Sequence, residues 1–152
     1  MRHWLIPACV LASILAAGSR QAACAADTES ELKNTMQTNF DGLNEKNLEK
    51  AMSAVHGKSP NFLTTRDTTK KLFKDFNLKH RILSFHFYGT DGDYSVARVK
   101  FEATQDKGPA FRNNVVDSVQ VFRKESGNWK IWTTAVLEVK FLQEPAATEA
   151  VK

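Results

Sequence analysis

With 152 residues, 42% hydrophobic and 25% charged, the chain has the composition of one globular domain with a single core, which excludes a disordered polymer. Its 21 lysines and arginines against 17 acidic residues give a formal charge of +4, and its two cysteines, Cys9 and Cys24, both fall near the N-terminus. No glycine-rich phosphate loop, histidine pair at metal spacing or glycine-flanked serine is present, so nucleotide, metal and serine-nucleophile chemistries have no sequence support.

Met1-Arg2-His3-Trp4 is a short basic start, Leu5 to Ala17 an apolar run, and Ala23-Cys24-Ala25 supplies small residues at the spacing signal peptidase uses. The run is too short to span a bilayer comfortably, so residues 1–25 are expected to be a cleaved secretory signal, with no stable membrane insertion and a periplasmic or secreted product. A lipoprotein anchored through Cys24 is the rival, but Gln21-Ala22-Ala23 lacks the leucine such sites carry. Removing Arg2 and Arg20 from the 21 basic residues leaves 19 against 17, a charge of +2, and no cysteine remains for a disulfide or thiolate metal site. So small a charge on an exported chain argues against a nucleic-acid partner.

Thr28 followed by Glu31 reads as a capping box, and Leu32, Met36, Phe40 and Leu43 then form the stripe of one helical face. Asn47 is placed to cap a second, short helix carrying Leu48, Ala51, Met52 and Val55, which Gly57-Lys58-Ser59-Pro60 ends. Asn61-Phe62-Leu63 reads as a brief extended segment, after which Asp67 caps a third helix from Thr68 to Phe76 that buries Leu72, Phe73 and Phe76.

Beyond Phe76 the period becomes strand-like. Lys79 to Tyr88 sets Leu83, Phe85 and Phe87 on one face and Ile82, Ser84, His86 and Tyr88 on the other; Asp91-Gly92 offers a tight turn; Tyr94 to Thr104 sets Ala97, Val99, Phe101 and Ala103 against Arg98, Lys100 and Glu102. After a loop through Gly108-Pro109, Arg112 to Leu142 reads as a long hairpin turning at Glu125-Ser126-Gly127-Asn128, and residues 143–152 as a polar tail. The expected architecture is α+β: three N-terminal helices packed on an antiparallel sheet of four long strands plus a short one.

From about Glu29 to Leu142 the chain resembles the nuclear transport factor 2-like superfamily, the cone-shaped, cystatin-like fold shared by ketosteroid isomerase and SnoaL-like proteins. Phe40-Asp41-Gly42-Leu43-Asn44-Glu45-Lys46-Asn47-Leu48-Glu49-Lys50-Ala51-Met52, Gly92 to Val99, and Val121 to Ile131 carry the likeness. It implies a domain over residues 26–142, a strongly curved sheet and an apolar pocket between sheet and long helix, for which Phe40, Phe73, Trp129, Ile131 and Thr133 are the candidate lining residues. Where SnoaL-like relatives carry inward histidines on the last strand, this chain has Thr133 and Ala135.

The favoured function is therefore an exported, non-catalytic module that binds a small apolar molecule or assembles with itself, without cofactor or metal. The alternative is a SnoaL-like or ketosteroid isomerase-like enzyme performing proton transfer or hydration on a cyclic apolar substrate, with Asp117 as base, Tyr88 as donor and His86 as orienter. For His86 the plainer expectation is a packed, inert ring; for Asp117 it is a cross-strand ion pair with Arg98 or Arg112. His80, beside Lys79 and Arg81, is expected to face solvent, and His56 to sit at a helix end. Trp129 and Trp132, three apart on a strand, should point to opposite faces. Trp132 with Val136 outside then suggests a homodimer through the outer sheet face.

Overall fold

A computed structural model describes residues 16–105 and 108–142; the expected leader up to residue 15 and the expected tail 143–152 lie outside the described residues. The order of elements is α1 (Ala16–Asn44), α2 (Leu48–Ser53), α3 (Phe62–Asp75), β1 (Leu78–Asp91), β2 (Tyr94–Gln105), β3 (Asn114–Glu125) and β4 (Asn128–Phe141). The strands form one antiparallel meander in the order β1-β2-β3-β4.

The stripe on α1 does what its spacing requires. Leu32, Met36 and Phe40 are almost wholly buried and pack on Ala97, Val99, Phe122, Trp129 and Ile131 from the inner face of the sheet. At about 1.5–3 kcal/mol per large apolar side chain removed from water, this shared interior is the main source of stability. Asn47 caps α2 as expected, its side chain accepting from the Lys50 amide at 3.0 Å. The α1–α2 corner is tight enough that a Cβ on Gly42 would enter the backbone of Ala51.

Three local expectations are corrected. Thr28 lies within α1, which runs unbroken from Ala16, so it is no N-cap. Helix α3 starts at Phe62, not Thr68, because the Phe62 amide donates to the Ser59 carbonyl at 3.1 Å and the Thr65 amide to the Asn61 carbonyl at 2.8 Å; Asn61-Phe62-Leu63 is helical entry, and Asp67 is interior. The short fifth strand is, among the described residues, only an isolated parallel bridge between Val55 and Ile131, held by His56 N donating to Ile131 O and Ile131 N to Ala54 O.

Both edge strands run 14 residues against 12 for the two central ones. The extra residues are bulges, at Leu83 and Tyr88 in β1 and at Trp132 and Leu137 in β4, where the pairing register slips by one. A bulge lengthens and bends one strand against its neighbour, so four of them on the two edges curve the sheet around α1. Each also reverses which residues face inward. Among the described residues no helix is long and apolar enough to cross a membrane.

Candidate functional site

Between α1, α3 and the inner face of the sheet lies a cavity of about 470 Å³. Met36, Phe40 and Leu43 from α1, Leu72 from α3, Val55, and Phe101, Ile131 and Trp132 from the sheet give it an apolar wall. Its polar groups are all uncharged side chains: Thr64, Thr65, Thr68 and Thr69 from α3, Asn39, Ser59 and Asn61, Gln120, Thr133 and Thr134, and His80.

His80 enters the cavity because of the bulge at Leu83. Counting back by twos from Phe85 and Phe87 puts Leu83 inside and His80 outside; the inserted residue instead pairs Ile82 with Phe101 and His80 with Ala103, on the inner face, and leaves Leu83 exposed. The His80 ring stacks on Phe40 at 5.6 Å, and Phe40 in turn lies 5.0 Å from Phe101. Asn44 at the end of α1 locks this histidine: its Oδ1 accepts the His80 main-chain amide at 2.6 Å while its Nδ2 donates to the His80 carbonyl at 2.9 Å. With that amide fixed, His80 Nδ1, 3.3 Å from the same Oδ1, carries the ring proton and Nε2 is left as a bare acceptor. Burial pushes the imidazole down to about 4, so it is neutral at pH 7.

Gln120 is the other polar anchor, and it is buried. Its Oε1 accepts from the Thr134 hydroxyl at 2.6 Å, its Nε2 donates to Ser118 Oγ at 3.1 Å, and Ser118 donates to the Val99 carbonyl at 3.0 Å. This chain of bonds satisfies the polar atoms it threads through the sheet's interior and holds one amide face against the cavity.

Asp117, Tyr88 and His86 also come together, but on the opposite side of the sheet. With Ser84, Arg98 and Lys100 they line an open cleft of about 440 Å³ on the outer face. Arg98 grips Asp117 through two parallel bonds of 2.8 Å, from Nε to Oδ1 and from an η nitrogen to Oδ2, and Lys100 adds a contact at 3.4 Å. The carboxylate is only 3% exposed because these long cations lie over it. Their hydrogen bonds, Arg98 first, hold it below the usual carboxylate range against the opposing effect of burial. The Arg98 guanidinium is held still more firmly charged by Asp117, with Tyr88 the next contributor. His86 is exposed and meets Tyr88 edge to face at 5.0 Å.

Of the expected lining residues, Phe40, Ile131 and Thr133 border the cavity. Phe73 does not; it lies with Phe76 and Leu78 around a much smaller void behind His80. Trp129 lies in the hydrophobic core, bordering a surface recess on the far side of α1. Trp132 contacts Arg123 and Tyr94 and meets His56 edge-on at 4.9 Å. His56 is itself buried, in the segment bridged to Ile131. The bulge at Trp132 shifts Val136 opposite Ser118, on the inner face, so the two do not share an outer patch. His80, expected to face solvent, lines the cavity instead, and Asn44, Gln120 and the threonines of α3 went unnoticed in the sequence; the pairs Thr64-Thr65 and Thr68-Thr69, four apart, were the available sign of a hydroxyl-bearing helix face. Among the described residues no cluster of three metal-ligating side chains occurs.

Residues 34–142 match the family described as anti-sigma-I factor RsgI9, C-terminal domain. The chain belongs to this family. In fold the chain is similar to solved NTF2-like proteins with a cystatin-like fold. An NTF2-like protein with a cystatin-like fold from Novosphingobium aromaticivorans is 14% identical with a TM-score of 0.61, over 89% of this chain and 96% of that one. A protein provisionally named a dehydratase of the NTF2-like family, from Streptomyces avermitilis, is 14% identical at 0.60, over 72% and 94%. The β subunit of benzoate 1,2-dioxygenase from Burkholderia mallei is 12% identical at 0.58, over 68% and 85%. At such identities the likeness establishes the fold alone. No curated protein sequence matches the chain.

Proposed function

We propose that this chain is an exported binding module that holds a small, uncharged, amphipathic molecule in the inner cavity and does not turn it over. The observation that carries this reading is the separation of charge from cavity: the lining holds no carboxylate, lysine or arginine, and the one acid the sequence offered as a base, Asp117, is clamped by Arg98 on the other face. A wall of aromatic and aliphatic groups suits a ligand's apolar body, while His80 Nε2 as acceptor and the Gln120 amide as donor suit its hydroxyl or carbonyl groups. The family takes its name from the C-terminal domain of an anti-sigma-I factor, and retention without turnover suits a part in regulation. Export rests on the leader-like residues 1–25.

Nile red, uncharged and largely apolar, tests the reading. Its fluorescence should rise on binding the wild-type protein and fall back in Thr68→Phe, which fills the cavity from an exposed helix position; an anionic dye should give no such difference. Equal binding to wild type and variant, or preference for the anion, would sink the proposal. Native mass spectrometry of protein taken from its own envelope should show a retained neutral molecule.

A further inference from the structure

The N-terminal half of β4 is covered at its edge by the Val55 bridge, whereas from Thr134 to Phe141 the strand is exposed and, among the described residues, nothing lies along its free edge. Val136, Leu137, Val139 and Phe141 there are each 45–59% exposed, on a strand that would ordinarily be blunted against pairing. Leu142 N donates to Asn113 O at 2.8 Å. By antiparallel alternation the main-chain groups of Lys140 and Glu138 also point at β3, and those of Val139 and Phe141 point out at the empty edge.

We propose that this edge pairs antiparallel with the same edge of a second copy of the chain, about a two-fold axis through Val139. In that register Val139 faces its own copy and exchanges two main-chain hydrogen bonds, Leu137 faces Phe141, and Glu138 faces Lys140 of the other copy on both sides of the axis. Sliding the axis to Glu138 or to Lys140 sets like charges opposite each other, so the charges select one register. Glu138 and Lys140 lie on the outer face, opposite Asp117 and Val115, and among the described residues neither belongs to an ion pair within the chain. The two sheets join into one of eight strands, a route to a dimer that does not use the outer face.

Sedimentation velocity of the purified protein and its charge variants tests this surface. The wild type should self-associate reversibly; E138K and K140E should each weaken association about tenfold by placing like charges opposite; the double variant E138K/K140E should recover it. An equimolar mixture of E138K with K140E should form a heterodimer, because every charge then meets its opposite. Circular dichroism confirms that these exposed substitutions leave the fold intact. A wild type monomeric at every concentration, a dimer indifferent to the single variants, or a double variant that stays dissociated would each overturn the proposal.

Discussion

The two faces of the sheet are built from alternate residues of the same four strands, yet they solve opposite problems. Ser118 and Gln120 on the inner face are neutral, buried and tied into a bonded chain; Asp117 and Arg98 on the outer face are charged, and the acid is hidden only beneath its own counter-ions. Burying a charge beside α1 would cost far more than burying an amide whose bonds are met, so the cavity lining carries no ion and the outer face carries the Asp117 and Arg81–Glu102 ion pairs. Acid, tyrosine and histidine gathered in one place therefore do not make an active site by themselves. Their place in the fold, on the face away from the apolar cavity, sets what they can do.

This contrast can be broken from either side. The largest effect should come from Phe122→Ala at the centre of the inner face, a loss of about 3–5 kcal/mol read as a lower denaturant midpoint at unchanged slope. Next comes His80. Its folded pKa of about 4 lies below the unfolded value of 6.5, so the unfolded chain takes up the proton first and stability falls as pH drops from 6.5 towards 4. The loss reaches about 3 kcal/mol, and His80→Phe should remove that part of the slope when thermal midpoints are compared with wild type across the window.

Gln120→Ala should cost about 1–3 kcal/mol by stranding Ser118 and Thr134, and should weaken Nile red binding as well. The smallest effect on binding belongs to the outer face: Asp117→Asn should lower the thermal midpoint above pH 4, where the carboxylate is ionised in both states, while leaving dye affinity unchanged. A large fall in affinity there would erase the distinction between the faces.

Much of the fold was legible in the sequence because its signals were uninterrupted. Leu32, Met36 and Phe40 keep helical spacing and do pack on the sheet, and the two hairpins sit on glycines that need positive φ, Gly92 at +54° and Gly127 at +84°. The cavity was less legible. Leu83, Trp132 and Leu137 carry no mark of being inserted residues, and each reverses the alternation by which inward and outward positions are read, which hid His80 and misplaced Val136. Helix α3 was cut short at its start because Asp67 resembles an N-cap and Asn61-Phe62-Leu63 an extended segment, although Ser59 and Asn61 supply the carbonyls that begin the helix, and its first two cavity threonines were lost with it.

A wall without ions has a further consequence. A neutral ligand there would be held with no counterions to displace, so added salt should not weaken its binding, where an anion site built from the Arg98 face would lose its grip. For an exported binding module of the kind proposed, whose surroundings set the salinity, that indifference would let occupancy report how much ligand is present and little else.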